Sequence, residues 1–504
     1  MHLAVVYSSA RLGIDAPSVR IEVHLSGGLP TTHIVGLPAA AVRESRDRVR
    51  AALLCSKFSF PTRRITINLA PADIPKEGSR FDLPIALGIL AASGQIPANR
   101  LDAFEFLGEL GLTGDLCPVD GVLPAALAAT QRNRHLVAPT HNGHEAALTK
   151  KASAYTAQSL LEVCNCLSEH ISWTPAQPYS MSPPVQKSCN IGDVVGQSRA
   201  KRALEIAAAG GHHILLIGPP GCGKSLIASC LPGLLPELSE EEALENAAIA
   251  SLSPRGVDVG CWRHRPYRTP HHTTTAIALV GGGSKPRPGE ISLAHHGVLF
   301  LDELPEWHRQ TLETLREPLE SGCVHISRAS GHFTFPSRFQ LVAAMNPCPC
   351  GWAGDASGRC RCAHTQIQRY QSCLSGPLLD RIDLHVIMHR STSHNVVLAD
   401  KKQRHTNNDV ISTHIKQARA FQMLRKMPYN RDLQLEDIQR CCNLQAKDAE
   451  FLAKTSEKHR LSTRSLQSVL RVARTIADLA QTQNVELTHL QEALSYRIYD
   501  LHVP

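Results

Sequence analysis

One eight-residue stretch, GPPGCGKS at residues 218–225, constrains this chain more than any other feature of its sequence. It follows the apolar run HHILLI and precedes LIASCL, which predicts a strand, a glycine-rich loop and a helix in that order. Such a loop points its backbone N–H groups at phosphate, with a lysine on the outer phosphates and a serine hydroxyl on Mg²⁺. A chance glycine-rich turn is the alternative, and the flanking strand and helix make it the weaker one. The predicted ATP and Mg²⁺ site consists of Gly218, Pro219, Pro220, Gly221, Cys222, Gly223, Lys224 and Ser225.

Two further apolar runs end in polar side chains suited to the same site. GVLFLDE, residues 297–303, delivers Asp302 and Glu303, and FQLVAAMN delivers Asn346. Because central parallel strands end at one edge of a sheet, we expect these side chains to meet the phosphate loop there. Asp302 would hold Mg²⁺, Glu303 would polarise the attacking water, and Asn346 would contact the γ-phosphate. A surface turn after an ordinary strand is the alternative for the two acids.

The rest of the chain divides by composition into regions on both sides of this site. Of the 504 residues, 43% are hydrophobic and 19% are charged, as in an ordinary globular protein too long for a single core. Short β-rich and Ala/Leu-rich runs alternate before and after a Pro/Ser-rich stretch, and the C-terminal part has helical periodicity. We therefore expect an α/β domain at 1–172, a linker at 173–190, an α/β ATPase core with a parallel sheet at 191–395 and a helical domain at 396–504.

The net charge and the number of cysteines indicate the cellular compartment and the class of partner. The formal net charge of +8 permits an anionic partner such as nucleic acid without requiring one. No apolar run reaches the roughly 18–20 residues of a membrane span, and the N-terminus lacks the segments of a secretory signal. Together with sixteen cysteines in a chain of this size, these features favour a soluble protein of the reducing cytoplasm without a membrane partner.

Four cysteines follow directly on the strand that is predicted to end at Asn346. NPCPCGWAGDASGRCRC, residues 346–362, holds them as two C-x-C pairs separated by a nine-residue loop. Structural zinc more often uses C-x₂₋₄-C pairs, yet this loop lets both pairs meet at one ion. Disulfides or free buried thiols are the alternative, and Asp355 and His364 are substitute ligands. We expect a structural Zn²⁺ that fixes the strand end, held by Cys348, Cys350, Cys360 and Cys362.

The motifs taken together resemble one family. GPPGCGKS, GGGSKPRPGEISLAHHGVLFLDE, MNPCPCG, SGPLLDRIDLH and STRSLQSVLRVARTIADL are similar to the magnesium-chelatase-like AAA+ ATPases known as ComM or YifB. The likeness covers nearly the whole chain, and the polar run at about 391–412 departs from it most. The resemblance implies a Lon-protease-like N-terminal α/β domain, an AAA+ P-loop NTPase core and a C-terminal helical lid. It also implies a hexameric DNA motor for branch migration in homologous recombination, as in natural transformation.

The resemblance also assigns roles to two arginines. Arg381 in LLDRIDLH matches the arginine finger that enters a neighbouring subunit's ATP site, and Arg464 in LSTRSLQ matches the sensor-2 arginine of the lid. A planar, permanently charged guanidinium suits the charge that builds up on a transferring phosphoryl group. If both roles hold, no single chain has a complete site, and a homo-hexamer is implied. An ordinary surface or salt-bridged arginine is the alternative for each.

Two basic hairpins are the candidate DNA contacts. Between Trp262 and Pro288 there are five Lys/Arg residues and no acid, and LVGGGSKPRPGEISL has the pattern of a hairpin that matches the family's pore-facing insertion. VHISRASGHFTFP predicts a second hairpin. A basic pore loop suits a sequence-independent, salt-sensitive grip on the phosphate backbone, whereas a solvated surface loop is the alternative. The candidate contacts to single-stranded or branched DNA are Lys285, Arg287 and Arg328.

The N-terminal domain resembles Lon protease but lacks its catalytic pair. Lon-type hydrolysis needs a serine that is activated by a lysine. Laying the protease motifs on PKEGSRFD and DGVLPA puts Arg80 at the nucleophile and Leu123 at the lysine. Ser79 is adjacent to the first position, but no lysine nearby replaces the base. We therefore predict a non-catalytic scaffold, which serves as a ring-former or as a DNA-binding platform.

The sequence favours an ATP-dependent DNA translocase or helicase over three rivals. A magnesium-chelatase-type metal-insertion subunit would leave the Lon-like domain unexplained. A Lon-like peptidase is disfavoured by Arg80 and Leu123. A protein-remodelling AAA+ chaperone usually presents an aromatic pore loop, whereas GGGSKPRP is basic and contains no aromatic residue. Recombination proteins are the further partners that the favoured function implies.

Overall fold

A computed structural model gives the structure of the chain. It describes residues 3–148, 153–178, 189–283, 286–328, 331–355, 358–390, 408–427 and 429–497. Lys285, which the sequence nominates for DNA contact, lies outside these described residues, as do most of the linker and most of the polar run at 391–412. The described part confirms the predicted fold class, with an N-terminal α/β region, a parallel core sheet and a helical C-terminal region.

The N-terminal region is built on a mixed eight-stranded sheet in the order β10-β9-β8-β5-β1-β2-β4-β3. Its edge strand β10 pairs with β9. The two remaining strands, β6 and β7, form a separate hairpin. The strands are β1 Leu3–Ser9, β2 Ser18–Ser26, β3 Thr32–Val35, β4 Arg64–Ala70, β5 Phe104–Phe106, β6 Glu109–Leu110, β7 Leu116–Cys117, β8 His135–Pro139, β9 Ala154–Ala157 and β10 Thr174–Pro175.

Five helices cover this sheet, and the most buried of them is α2. Each of its residues is buried, because DLPIALGILAA is apolar all round and packs on β1 and β2. The strand β2 alternates instead, since its apolar side chains face the helix and the others do not. The helices are α1 Ala40–Cys55, α2 Asp82–Ala92, α3 Val122–Gln131, α4 Gly143–Ala146 and α5 Leu160–Leu167.

The ATPase core contains a five-stranded sheet in the order β12-β15-β18-β11-β19, and all four neighbouring pairs are parallel. The strands ILLI and VLFL are buried at every position, as expected of strands covered on both faces. Both predicted hairpins are present. The strands are β11 Ile214–Ile217, β12 Tyr267–Arg268, β13 Gly281–Gly282, β14 Arg287–Pro288, β15 Val298–Leu301, β16 Cys323–Arg328, β17 Gly331–Pro336, β18 Gln340–Met345 and β19 Leu384–Ile387.

The helices of the core are mostly short, apart from α6, α7 and α8. A capping box starts α8, because the Ser239 hydroxyl accepts from the Glu242 N–H while the Glu242 carboxylate accepts from the Ser239 N–H. The core helices are α6 Ser198–Gly210, α7 Lys224–Leu234, α8 Glu240–Ser251, α9 Ala276–Val280, α10 Glu290–Leu293, α11 Arg309–Glu313, α12 Arg316–Ser321, α13 His364–Gln371 and α14 Gly376–Leu379.

The C-terminal region is helical and shares a hydrophobic core with the ATPase sheet. Its helix α18 carries the predicted apolar face, and it packs against α6, α16 and the last helix. No helix in the described part of the chain is both long and apolar enough to span a bilayer. The helices are α15 Asn408–Leu424, α16 Leu435–Cys442, α17 Ala446–Lys458, α18 Thr463–Leu479 and α19 Leu487–Ser495.

Candidate active site

The glycine-rich loop joins the end of β11 to the start of α7, as the sequence predicts. Gly221 and Gly223 have φ angles of +74° and +92°, a region that favours glycine. A Cβ on Gly218 would lie 2.6 Å from the carbonyl oxygen of Met388, so no larger residue fits there. The loop ends at Lys224, the first residue of α7. The N-terminus of that helix presents free N–H groups and a positive dipole end, which suit a phosphate chain.

Lys224 lies between the phosphate loop and the neighbouring strand β18. Its Nζ donates to the carbonyl oxygens of Gly218 at 2.7 Å and Pro219 at 3.1 Å, and to Asn346 Oδ1 at 3.0 Å. Burial lowers the pKa of Lys224 from its ordinary value. An ammonium surrounded by oxygen acceptors at the loop is suited to exchange them for phosphate oxygens. The structure thus brings the predicted phosphate lysine and Asn346 into direct contact.

Ser225 and Asp302 form the second contact of the site. Ser225 Oγ donates to Asp302 Oδ2 at 2.8 Å, and the indole N–H of Trp307 donates to the Asp302 carbonyl at 3.0 Å. A hydroxyl and a carboxylate at this separation offer the hard oxygen ligands that Mg²⁺ prefers. The residues present therefore fit an ATP–Mg²⁺ group at the edge of the sheet where β11, β15 and β18 end.

Glu303 follows Asp302 in a left-handed backbone conformation, with a φ of +50°. Its Oε2 lies 3.3 Å from Nδ1 of His272, a contact that the sequence analysis missed. The register of the sheet explains this contact, because Arg268 of β12 pairs with Leu299 of β15. His272 and Glu303 each lie four residues beyond those partners, so the two side chains leave the sheet at the same edge.

The four predicted zinc ligands come together on top of the phosphate loop. All four Sγ atoms lie within 4.8 Å of one another, with separations of 3.3, 3.8 and 3.6 Å among the first three. Zn–S bonds of about 2.3 Å place tetrahedral sulfurs about 3.8 Å apart, so the set fits Zn²⁺. A Cβ on Gly351 would lie 2.6 Å from Pro220, which shows how closely this four-cysteine clip packs on the loop. The four candidate ligands are Cys348, Cys350, Cys360 and Cys362.

The thiols of the four-cysteine clip are reduced, and they differ in pKa. All sixteen cysteines lie in the described part of the chain, and none of them forms a disulfide there. Desolvation raises the pKa of the Cys350 thiol, but hydrogen bonds from the backbone of Arg361 and Trp352 outweigh it and lower that pKa to about 6. A thiol with such a pKa is a thiolate at neutral pH, which is the form that binds metal.

Arg381 and Arg464 both contact Glu320 rather than the phosphate loop. Both guanidiniums contact Oε1 of Glu320 on α12, Arg381 at 2.6 Å. Partial desolvation raises the pKa of Glu320, but the two arginines outweigh it and the net shift is downward. Within the described residues, neither arginine contacts Lys224 or Asp302. The structure therefore separates a phosphate-loop half and an arginine half of the predicted site.

The two hairpins predicted to grip DNA lie side by side. A Cβ on Gly282 would be 3.4 Å from a terminal nitrogen of Arg328, so β16–β17 packs against β13–β14. Arg328 is exposed, and Arg287 is partly exposed with its guanidinium 3.7 Å from Asp120 of the N-terminal region. Arg11 approaches the same carboxylate at 3.3 Å. Of the three predicted DNA contacts, the structure thus brings together the two that it describes.

The two positions that depart from Lon protease both lie at the junction with the ATPase core. Arg80 is 5% exposed, and it donates to the carbonyl oxygens of Asp120 and Gly121 at 3.2 and 3.4 Å. Burial lowers the pKa of Arg80 to about 10. The Ser79 hydroxyl donates to the Glu109 carboxylate. Arg80 itself offers a guanidinium, and no hydroxyl, at the position that aligns with the serine of the protease.

Leu123, at the lysine position, is an anchor between the two regions. It is fully buried against Leu244 and Ala247 of α8. Beside it, Glu145 accepts from the Leu123 N–H at 3.0 Å and from the Ser251 hydroxyl at 2.5 Å. The position that aligns with the lysine of the protease therefore helps to hold the N-terminal region on the core.

Comparisons with known proteins match this arrangement along the whole chain. Family models described as magnesium chelatase, subunit ChlI match residues 190–396, subunit ChlI of Mg-chelatase 21–142, and the ChlI C-terminal region 405–497. The chain is similar to competence protein ComM of Haemophilus influenzae, at 48% identity over 99% of the chain and 98% of that protein.

Of two further relatives, one is similar to the chain over its full length and the other over a part of it. The protein YifB of Escherichia coli is 46% identical over 99% of the chain and 98% of its own length. Lon protease 2 of Bacillus subtilis is 26% identical over 30% of the chain and 29% of that protein. Full-length identity near one half, with family models across all three regions, decides the assignment. The chain belongs to the ComM/YifB family of magnesium-chelatase-like AAA+ ATPases.

Proposed function

We propose that this protein is an ATP-driven DNA translocase that promotes branch migration during homologous recombination, as in natural transformation. The observation that carries the proposal is that the ATP-site contacts and the basic hairpins belong to one domain. The contacts Lys224–Asn346 and Ser225–Asp302 lie at one edge of the core sheet, and the paired basic hairpins with Arg287 and Arg328 belong to the same core. The name of the relative ComM, a competence protein, supports a role in DNA uptake and integration.

Each residue of the site has a step to perform in the proposed mechanism. ATP supplies the phosphoryl group when bound, and Mg²⁺ neutralises its charge. Lys224 binds the outer phosphates, and Ser225 with Asp302 holds the metal. Glu303 takes a proton from the attacking water, which Asn346 orients. No described residue of the same chain adds an arginine to the phosphate-loop half.

The missing arginine comes, in our proposal, from a neighbouring subunit of a homo-hexamer. Arg381 and Arg464 lie together on Glu320 and are ready to exchange that carboxylate for phosphate oxygens. An arginine finger of this kind contributes about 10³–10⁵ in rate in other NTPases. The four-cysteine clip holds Zn²⁺ with a structural role, and the ring works in the cytoplasm on single-stranded or branched DNA.

A mobile four-way DNA junction tests the proposed function. Wild-type protein with ATP should convert the junction into two duplexes, followed by native gel electrophoresis, and Glu303→Gln should not. DNA should also raise the ATPase rate of wild type. Hydrolysis by wild type that neither moves the junction nor responds to DNA would refute the translocase.

One other function is favoured by a specific observation. The family models that match the chain carry the description of the magnesium-chelatase subunit ChlI. A metal-insertion ATPase would hydrolyse ATP with the same residues but respond to a porphyrin-binding partner protein instead of DNA. Stimulation of the ATPase by such a partner, with no response to the junction, would favour this second candidate.

A further inference from the structure

A large cleft that has no part in the ATP site lies beside the first basic hairpin. Its volume is about 1140 Å³, and α8, the segment 253–268 and the start of α10 form its walls. None of residues 218–225 lines it. We propose that this cleft is a second nucleic-acid site, which takes a short stretch of single-stranded DNA with phosphates on Arg255 and Arg263 and a base on Trp262. The inference rests on the proposed function, because it supplies a path for the strand that the motor moves.

The charge of the cleft favours an anionic occupant. Five basic residues line it against two acids, and both acids are engaged. The carboxylate of Glu290 accepts from Nε and Nη2 of Arg268 at 2.6 and 2.8 Å, and Asp258 accepts from the Gly260 N–H at 3.1 Å. Of the remaining basic residues, Arg265 has a buried side chain and pairs with Glu242 at 3.4 Å. The positive charge available to a ligand is therefore on Arg255 and Arg263, with His264 beside them.

Two of these arginines are free to take phosphate. Arg255 is exposed and has no ion-pair partner among the residues that the structure describes. Arg263 is 3.9 Å from Glu240, between side chains that are each nearly half exposed, and such a pair is weak. Phosphate oxygens would bind these guanidiniums without breaking a strong contact.

The wall contains polar atoms that lack partners. Both the amide nitrogen and the amide oxygen of Asn246 are buried without a hydrogen bond among the described residues, and so is the hydroxyl of the fully buried Ser292. Buried donors and acceptors are nearly always paired, so such atoms mark where a ligand or its bound water completes the wall. An amide offers a donor next to an acceptor, the pattern that reads a base edge.

Size and position favour a strand over a small molecule. Pockets for small ligands measure about 300–1,000 Å³, and this cleft exceeds that range. Trp262 and Tyr267 line it and are only partly buried, so they offer aromatic faces on which a base can stack. Pro288 and Gly289, at the end of β14, form part of its rim. A strand held by Arg287 on that hairpin would continue directly into the cleft.

Binding of a fluorescent oligo-dT to the full-length protein, with a slowly hydrolysed ATP analogue, tests the proposal. We expect Arg255→Ala/Arg263→Ala to weaken binding about tenfold and to reduce the slope of log K against log salt by about 0.7 per arginine. Arg255→Lys/Arg263→Lys should restore the slope. The control is Arg43→Ala/Arg440→Ala, and it should bind as wild type. Arg43 is exposed with no ion pair among the described residues, Arg440 is exposed and salt-bridged, and neither lines the cleft. Basal ATPase should be unchanged in all variants.

A second measurement locates the strand. An oligonucleotide with 5-iododeoxyuridine, irradiated in the complex, should crosslink to the peptide that contains Trp262, as read by mass spectrometry. Loss of that crosslink in Arg255→Ala/Arg263→Ala would support the proposed path. Crosslinks confined to other peptides would overturn it.

The outcomes separate this proposal from the proposed function. If wild type moves the junction but Arg255→Ala/Arg263→Ala binds oligo-dT like the control, the cleft is not a strand site and the translocase stands. If the variant loses affinity for free dTMP but keeps it for oligo-dT, the cleft binds a small nucleotide and the strand proposal fails. If wild type neither binds oligo-dT nor moves the junction, both proposals fail together.

Discussion

Glu303 combines an unusual backbone with an unexpected partner. A φ of +50° at a residue other than glycine costs about 1–3 kcal/mol and persists only where neighbouring contacts impose it. Here Asp302 accepts from the Glu303 N–H at 2.9 Å, and the next residues form a short 3-10 helix. Such strain is concentrated at functional sites, and it directs the Glu303 side chain toward His272 at the edge of the sheet.

The substitution Glu303→Gln tests the role of this carboxylate. We expect ATP hydrolysis to fall by about 10²–10⁴, because an amide cannot accept the proton of the attacking water. Binding of ATP should persist, since Lys224 and the loop are unaltered. Steady-state phosphate release and equilibrium binding of a fluorescent ATP analogue measure the two effects separately.

The matched control is Glu306→Gln, an exposed carboxylate three residues further along the chain. Its ATPase rate should remain within about twofold of wild type, as for most surface substitutions. Equal loss of activity in the two variants would mean that general charge, rather than proton transfer at Glu303, explains the effect.

Most contacts of the phosphate-loop half are predictable from the sequence, and those of the other half are not. Lys224, Asp302 and Asn346 follow apolar strands or a glycine-rich loop, and parallel strands bring such ends to one edge. Glu320 gives no such signal, because it lies on the short helix α12 and its partners are 61 and 144 residues away in sequence. Long-range ion pairs depend on tertiary packing, which no local periodicity encodes.

At the scale of elements, the four-cysteine clip connects the end of β18 with the phosphate loop. Cys348 follows Asn346 by two residues, and Gly351 packs on Pro220. Strand, clip and loop therefore form one unit in which the position of Asn346 depends on the shape of the clip. The sequence indicated the ligand set but not the contact with Pro220, because that contact depends on how the two loops fold over the sheet.

Replacing Cys348 and Cys360 by serine tests this dependence. We expect Cys348→Ser/Cys360→Ser to lose one zinc per chain and on the order of tenfold in ATPase rate, because the clip no longer fixes Asn346 and Pro220. Zinc released by denaturation is measured with a chelating dye. The free thiol Cys373 provides the control, and Cys373→Ser should retain both zinc and activity. A wild-type protein without bound zinc would contradict the structural-metal assignment.

At the scale of the whole molecule, the proposed ring supplies the arginine half of each site from the neighbouring chain. Lys224→Ala subunits have lost the phosphate-loop half, and Arg381→Ala subunits have lost the arginine half. Each variant alone should be inactive. A mixture should regain about a quarter of the wild-type sites, since an intact loop then meets an intact arginine across some interfaces. ATPase activity against mixing ratio measures this complementation.

The control mixture combines Lys224→Ala with Glu303→Gln. Both changes damage the phosphate-loop half, so no interface between these subunits is complete, and we expect no recovery. Recovery in this mixture, or none in the first, would contradict an arginine supplied by the neighbour. The two mixtures should differ because Arg381 and Arg464 contact Glu320 and not the phosphate loop of their own chain.

The junction between the Lon-like region and the core limits which residues the chain can accept at Arg80 and Leu123. An arginine now satisfies two carbonyl oxygens where the protease family has its serine, and a leucine packs on Leu244 and Ala247 where it has its lysine. Replacing Leu123 by lysine would bury an ammonium in an apolar contact, and replacing Arg80 by serine would remove the donor that the two carbonyls share. Either substitution would weaken the attachment of the N-terminal region to the core. Any mutational path from this chain to a Lon-like catalytic pair therefore passes through variants with a weakened junction.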